Sequence, residues 1–182
     1  RVLRCLNCQS LFQDPWPTLA ETSTFYGPHY QNYAVSKVPL LSQMHYAQLK
    51  QLANEFITRF GQDVVFLDFG CGHGGFLQAL QEEGCKNVYG YDFSPERPVG
   101  LPAGIGYFGS ERELIDSGQK FNTIRMNHVI EHLVDYSSTF TTLSEILKPG
   151  GTIFGQTPNA GHYSSGVMGK RWGNLHYPYH TL

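Results

Sequence analysis

The sequence has few cysteines, little net charge and no long apolar run. Its four cysteines are too few for a disulfide scaffold in a chain of 182 residues, so we expect a reducing, cytoplasmic location. No apolar stretch approaches the roughly 20 residues that a membrane-spanning helix needs, so no membrane partner is expected. The net charge of −2 provides no basic face, and nucleic acid is not expected as a partner either.

Short apolar runs alternate with amphipathic segments through the middle of the chain. Their periodicity predicts helices over residues 39–60, 75–84 and 139–147, and strands over residues 64–69, 87–91, 121–126 and 152–156. Weaker signals indicate a strand at 105–108 and a helical turn at 111–116. This alternation predicts an α/β fold, a doubly wound and mostly parallel sheet with helices on both faces.

The two ends of the chain lack this alternation. Residues 1–38 are predicted to form an irregular N-terminal segment, and residues 39–182 to form the α/β domain. The tail after residue 156 is rich in glycine, histidine and tyrosine and is expected to be loop-like.

A glycine-rich turn joins the first strand of the domain to its helix, in the sequence VVFLDFGCGHGGFL from Val64 to Leu77. Its glycines satisfy both G-x-G-x-x-G and G-x-G-x-G, so they do not choose between NAD and another adenosine ligand. Asp92 follows the next strand, where a carboxylate can accept hydrogen bonds from both ribose hydroxyls of either ligand.

Asp68 favours one of these ligands. It stands two residues before the first glycine, at the tip of the strand, where a carboxylate would repel a pyrophosphate. S-adenosylmethionine carries an ammonium and a sulfonium group and no phosphate, so the acid suits it. The alternative is an aspartate that braces the loop or caps the helix.

These motifs resemble, in order and spacing, those of class I S-adenosylmethionine-dependent methyltransferases. FLDFGCGHGGFL resembles the first family motif and YGYDFSP the second, while MNHVIEHL and LKPGGTIFGQTPN resemble the motifs around the fourth and fifth strands. The resemblance covers about residues 60–160 and is nearest to small-molecule enzymes of ubiquinone biosynthesis and sugar modification. It implies a Rossmann-like fold. The family has two further strands, so the domain is expected to be incomplete at its C-terminal end.

The resemblance also implies roles for individual residues. Asp68 and the backbone near the glycines would hold the methionine part of the cofactor, Asp92 the ribose, and Asn127 would lie near the methyl group. Phe93 would lie against the adenine, and Gly109 and Ser110 would line its pocket. The full cofactor-binding set is Asp68, Gly70, Cys71, Gly72, Gly74, Asp92, Phe93, Gly109, Ser110 and Asn127.

The segment after the fourth strand contains H-x-x-E-H, formed by His128, Glu131 and His132. On a helix these three side chains would share a face and could bind a divalent metal. Related ubiquinone-type enzymes have Glu-x-x-Glu-His and bind magnesium, but a histidine in the first position suits that ion poorly. A bracing role, or a general base at His128 or His132, is favoured over a metal.

Cys5 and Cys8 have the spacing of a zinc knuckle. A structural zinc usually needs four ligands, and one pair is present. The surrounding sequence resembles the second half of a four-cysteine module that precedes some sugar methyltransferases, which implies a zinc site completed by cysteines upstream of Arg1. Two free thiols are the alternative.

Taken together, these features predict methyl transfer from S-adenosylmethionine to a small-molecule acceptor of sugar or quinone type. Two alternatives stay open, an NAD(P)-dependent oxidoreductase and a non-catalytic module that binds S-adenosylmethionine. The acceptor atom and the oligomeric state are not predicted.

Overall fold

The computed structural model describes residues 1–18, 20–21, 39–173 and 180. The chain divides into two compact units. One unit comprises Gln31–Asn127 and Phe140–Gly155, and the other comprises Arg1–Tyr30, His128–Thr139 and Gln156–Leu182. The boundary predicted between residues 38 and 39 stays a prediction.

Strands and helices of the described residues follow the alternation seen in the sequence. The strands are β1 (Val2–Arg4), β2 (Leu11–Gln13), β3 (Val65–Phe69), β4 (Asn87–Tyr91), β5 (Gly106–Phe108), β6 (Phe121–Asn127) and β7 (Leu147–Gln156). The helices are α1 (Pro39–Phe60), α2 (Gly75–Glu82), α3 (Glu111–Asp116), α4 (Tyr136–Ile146) and α5 (Tyr163–Met168), with 3₁₀ turns at Ile130–His132 and Gly169–Arg171. No helix among the described residues is both long enough and apolar enough to cross a membrane.

Five strands form the central sheet, in the order β5-β4-β3-β6-β7. Strand β3 pairs in parallel with β4 on one side and with β6 on the other, and β4 pairs in parallel with β5. Gly151 lies against Asn122 and Gly155 against Met126, so β7 also runs in the direction of β6. The predicted doubly wound, mostly parallel sheet is confirmed, and the C-terminal ends of its strands lie along one edge.

Apolar side chains of β3 and α2 form the centre of the core. Phe66, Leu77 and Leu80 are fully buried. The ring of Phe56, on α1, lies edge-on to that of Phe66 with centroids 4.9 Å apart, which fixes α1 against the sheet. This packing holds the start of α2, and therefore the glycine turn, in place.

The ends of the chain contain more regular structure than the sequence predicted. Strands β1 and β2 pair antiparallel, with Leu3 opposite Phe12, in the segment expected to be irregular. Three-residue strands are too short to show a period of two. The tail expected to be loop-like contains α5, where the His162 imidazole accepts a hydrogen bond from the backbone N–H of Ser164 at 3.3 Å.

Candidate functional site

The glycine turn between β3 and α2 is tied to the end of β4 through its backbone. Gly70, Gly72 and Gly74 have φ of 82°, 54° and 75°, a left-handed backbone that favours glycine. The N–H groups of Gly70 and Cys71 donate to the carbonyl of Tyr91 at 2.8 and 2.9 Å, and Gly74 N–H donates to the carbonyl of Cys71 at 3.0 Å. Most of the loop amides that the sequence assigned to the cofactor therefore already have partners.

Asp92 joins the same loop from the tip of β4. It is buried, and its Oδ2 accepts a hydrogen bond from Gly72 N–H at 2.7 Å. Burial raises the pKa of this carboxyl, against the opposing effect of the N–H groups of Gly72, Ser94 and Phe93. A carboxylate has about four acceptor positions, so a ribose hydroxyl can still bind beside these donors.

The residues predicted to surround an adenine lie beside β4 and before α3. Phe93 is 57% exposed, and its ring meets those of Tyr91 and Phe69 edge-on, with centroids 5.3 and 6.1 Å apart. Ser110 is the N-cap of α3, because its Oγ accepts from Glu113 N–H at 3.2 Å. Glu113 in turn accepts from Gly109 N–H at 2.8 Å, so its side chain reaches back to the residue before the N-cap. The Ser110 hydroxyl is therefore used locally.

Cys71 points into the protein from the middle of the turn. Its sulfur lies against the backbone of Gly90, where a Cβ would come within 2.7 Å of it. Burial raises the pKa of this thiol well above its ordinary value. Its side chain packs against β4, and its contact with the cofactor stays a prediction.

Asp68 does not stand alone, because Arg125 of β6 is directly opposite it in the sheet register. Nη1 of Arg125 lies 3.0 Å from both carboxylate oxygens of Asp68. Burial raises the pKa of Asp68, and the guanidinium opposes that rise. Sequence reasoning missed Arg125, although a charge inside the apolar run FNTIRMN is itself a signal. Asn127 is the last residue of the same strand.

In the other compact unit, the H-x-x-E-H segment is not an α-helix. His128 has a left-handed backbone with φ of 55°, and only Ile130–His132 form a 3₁₀ turn. His128 Nδ1 lies 3.2 Å from Oε1 of Glu131, whose other oxygen accepts from the Thr157 hydroxyl at 3.0 Å. The Glu131 carboxylate is 1% exposed while the His128 side chain is 52% exposed. A buried acid therefore orients an accessible imidazole.

His132 faces a different partner. Its ring meets that of His180 edge-on, with centroids 4.7 Å apart. Glu131, His132 and His180 each place one ligand atom within 4.8 Å of the others, so among the described residues these three could hold a metal ion. Two imidazoles and one carboxylate suit a transition metal better than magnesium. The sequence pattern missed His180, which is far away along the chain.

A cleft of about 490 Å³ lies in this same unit. Polar and aromatic side chains from four segments line it, including Arg4, Gln13, Thr157, Asn159, Trp172 and His180. Trp172 and His180 belong to the tail that follows residue 156. His176, Tyr177 and Tyr179 of the same tail lie outside the described residues.

The two N-terminal cysteines lie in the turn between β1 and β2. Cys5 N–H donates to the carbonyl of Ser10 at 2.8 Å, and Gln9 has a left-handed backbone with φ of 64°. The Cys8 thiol lies 3.4 Å from the Ser10 hydroxyl. Hydrogen bonds from Ser10 and from Cys5 lower the pKa of Cys8 to about 7.

Comparison with known proteins shows the family. A sequence profile described as a methyltransferase domain matches residues 40–181. The chain belongs to this family of methyltransferases. The ubiquinone biosynthesis O-methyltransferase of Cereibacter sphaeroides is 26% identical, across 84% of this chain and 67% of that protein. The protein of the same name from Rhizobium leguminosarum bv. trifolii is 31% identical, across 51% of this chain and 40% of its own length.

Solved methyltransferase structures share the fold. The plantazolicin methyltransferase BpumL, in complex with a triazolic desmethylPZN analog and SAH, has a TM-score of 0.55 at 16% identity over 76% of this chain. Coclaurine N-methyltransferase, bound to N-methylheliamine and SAH, has a TM-score of 0.51 at 15% identity, also over 76% of this chain. The chain spans 57% and 44% of the lengths of these two structures. The recognition of a class I methyltransferase with a Rossmann-like fold is confirmed, and the oxidoreductase alternative is not favoured.

Proposed function

We propose that this methyltransferase domain binds S-adenosylmethionine at the glycine turn and transfers its methyl group to a small-molecule acceptor. The observation that carries the proposal is the hydrogen bond from Gly72 N–H to the Asp92 carboxylate at the C-terminal edge of the sheet. This bond places Asp92, the acid that follows β4, against the glycine turn that follows β3. Both elements can then contact the same adenosine ligand. Phe93 supplies the exposed ring for the adenine.

His128 is the better of the two candidate general bases. With Nδ1–H donated to the buried Glu131 carboxylate, the neutral imidazole keeps Nε2 as a proton acceptor. Its left-handed backbone is a local cost that often accompanies functional residues. A general base would remove a proton from the hydroxyl, amine or activated carbon of the acceptor, which then attacks the methyl carbon. His132, paired with His180, is the second candidate.

The cleft supplies a place for an acceptor of sugar or quinone type. The indole of Trp172, which lines the cleft, offers an apolar face to a ring of the acceptor. The side-chain amides of Gln13 and Asn159 can form hydrogen bonds with hydroxyl or carbonyl groups of the acceptor. Its volume of about 490 Å³ falls within the range of small-molecule pockets. The names of the curated relatives, which are ubiquinone biosynthesis O-methyltransferases, agree with such an acceptor.

Cys5 and Cys8 are proposed as two ligands of a structural zinc in a longer chain. The lowered pKa of Cys8, about 7, favours the thiolate that zinc binds. Tetrahedral zinc would still need two further ligands. The test is zinc content by a chromogenic chelator in the longer protein, where replacement of Cys8 by serine should release the metal.

The function is tested by the formation of S-adenosylhomocysteine. The protein is incubated with S-adenosylmethionine and pools of sugars, nucleotide-linked sugars and catechol-type quinone precursors, and the product is measured by mass spectrometry. Thermal stabilisation by S-adenosylhomocysteine and not by NADH is the expected binding result. Stabilisation by NADH alone would favour an oxidoreductase, and binding of S-adenosylmethionine without turnover on any pool would favour a non-catalytic module.

A further inference from the structure

The ion pair between Asp68 and Arg125 lies at the topological switch point of the sheet. From β3 the chain builds β4 and β5 on one side, and then crosses to build β6 and β7 on the other. In open α/β sheets, ligands bind outside the carboxyl ends of the two strands at which the direction of winding reverses. Those strands are β3, which carries Asp68, and β6, which carries Arg125 in register with it. A ligand in this crevice therefore meets both charges.

Arg125 is fixed in place but keeps unused donors. Its Nη1 serves both oxygens of Asp68, and its Cζ lies 4.3 Å from the centre of the Phe76 ring. Only 13% of its side chain is exposed. Nε and Nη2 make no hydrogen bond with any residue that the structure describes. A guanidinium carries five N–H donors, so three remain for a ligand.

Several backbone N–H groups of the glycine turn are already engaged. Gly70 and Cys71 donate their N–H groups to Tyr91, and Gly72 donates to Asp92. A carboxylate that enters this end of the crevice cannot bind those amides without breaking the loop. Arg125 places its guanidinium over the ring of Phe76, at the start of the helix that follows this turn.

We propose that the Asp68–Arg125 pair recognises the zwitterionic amino-acid end of the cofactor, with Asp68 facing the ammonium and Arg125 the carboxylate. The inference rests on the proposed function and refines the sequence-based role of Asp68. A lone carboxylate would attract the ammonium and repel the neighbouring carboxylate of the same ligand. A pair of opposite charges complements both groups, and the buried setting strengthens each contact. Arg125 is thereby a specificity-determining residue for the methyl donor.

Three ligands distinguish recognition of the ammonium group from recognition of the carboxylate group. S-adenosylhomocysteine carries both groups, its decarboxylated analogue keeps only the ammonium, and 5′-methylthioadenosine carries neither. Dissociation constants are measured by isothermal titration calorimetry for the unchanged protein, Arg125→Met, Arg125→Lys and the control Arg112→Met. Arg112 is an exposed arginine whose ion pair with Asp116 lies on the surface of α3.

The unchanged protein and the control should prefer S-adenosylhomocysteine over its decarboxylated analogue by about tenfold or more. Arg125→Met should abolish that preference and leave the binding of 5′-methylthioadenosine within about threefold. Arg125→Lys should keep part of the preference, because the positive charge remains while the planar set of guanidinium N–H donors is lost.

Two results would overturn the proposal. One is equal affinity of the unchanged protein for S-adenosylhomocysteine and its decarboxylated analogue, a comparison that needs no variant to fold. The other is a loss of affinity in Arg125→Lys or Arg125→Met that is the same for all three ligands. Such a result would show that the Asp68–Arg125 pair has a purely structural role. Failure of the unchanged protein to bind any of the three ligands would instead contradict the proposed function.

Discussion

His128 Nδ1 lies 3.2 Å from Oε1 of Glu131, and the buried carboxylate holds an imidazole that is half exposed to solvent. A carboxylate on one ring nitrogen fixes the tautomer that leaves the other nitrogen as a base. The pair therefore separates two tasks, since His128 would move the proton while Glu131 positions the ring.

The first prediction concerns this pair. His128→Ala should lower turnover by about 10²–10⁴-fold, the usual contribution of a general base, while the dissociation constant of S-adenosylhomocysteine stays unchanged. Glu131→Gln should cause a smaller loss of turnover, because an amide can still orient the ring but does not carry the charge of the carboxylate. The control is His45→Ala, at an exposed position of α1. Unchanged turnover in His128→Ala would remove His128 from the mechanism.

The second prediction concerns Asp92, the acid proposed to bind the ribose. Asp92→Asn should weaken the binding of S-adenosylhomocysteine by about tenfold or more, because hydrogen bonds to a charged acceptor are worth roughly 1.5–3 kcal/mol. Asp116→Asn is the matched control, since Asp116 is exposed on α3. Calorimetric titration measures both. If the two variants bind the ligand alike, Asp92 does not contact it.

The third prediction concerns the thiol of Cys8. Its pKa of about 7 lies below the ordinary value of 9.0, so the thiolate fraction, and with it the alkylation rate, should rise with pH and reach half its maximum near pH 7. Ser10→Ala should move this midpoint upward, because the hydrogen bonds from Ser10 are the main cause of the shift. Iodoacetamide labelling followed by peptide mass spectrometry measures the rate at each site. A midpoint close to 9 in the unchanged protein would contradict the assignment.

Cys71 and Cys85 provide an internal reference in the same experiment. Burial raises the pKa of both thiols, so both should stay unlabelled at neutral pH while the protein is folded. Labelling of either one at the rate of Cys8 would show that the protein had opened.

The fourth prediction concerns the core that supports the glycine turn. Leu80 of α2 is fully buried, so Leu80→Ala should lower the free energy of unfolding by about 2–5 kcal/mol. Leu40 of α1 is 63% exposed, and Leu40→Ala should change the free energy of unfolding by no more than about 0.5 kcal/mol. Urea unfolding followed by circular dichroism measures both. Equal losses would show that α2 does not pack as described.

Local patterns predicted the strongest elements of the fold well. The bounds of α1 and β4 agree with the sequence prediction, because an apolar face followed by Gly61, and a short apolar run, are readable along the chain. Helix α4 begins at Tyr136, earlier than predicted. The signal was present, since Asp135 accepts a hydrogen bond from Ser138 N–H at 2.9 Å and so caps the helix.

Contacts between residues far apart along the chain could not be predicted from the sequence. Asp68 and Arg125 meet only because β3 and β6 are neighbours in register, and strand order cannot be read from a single chain. His180 comes to lie against His132 for the same kind of reason. Asp68 at the glycine turn was therefore predictable from the sequence, but its ion pair with Arg125 was not.

The inward packing of the Cys71 thiol has a consequence for the proposed binding of an alkylating cofactor. A thiolate in the glycine turn would be a nucleophile beside an electrophilic sulfonium. Gly90 leaves room for the sulfur beneath the turn, where burial keeps it protonated. This arrangement would keep the glycine turn from being methylated by the proposed cofactor.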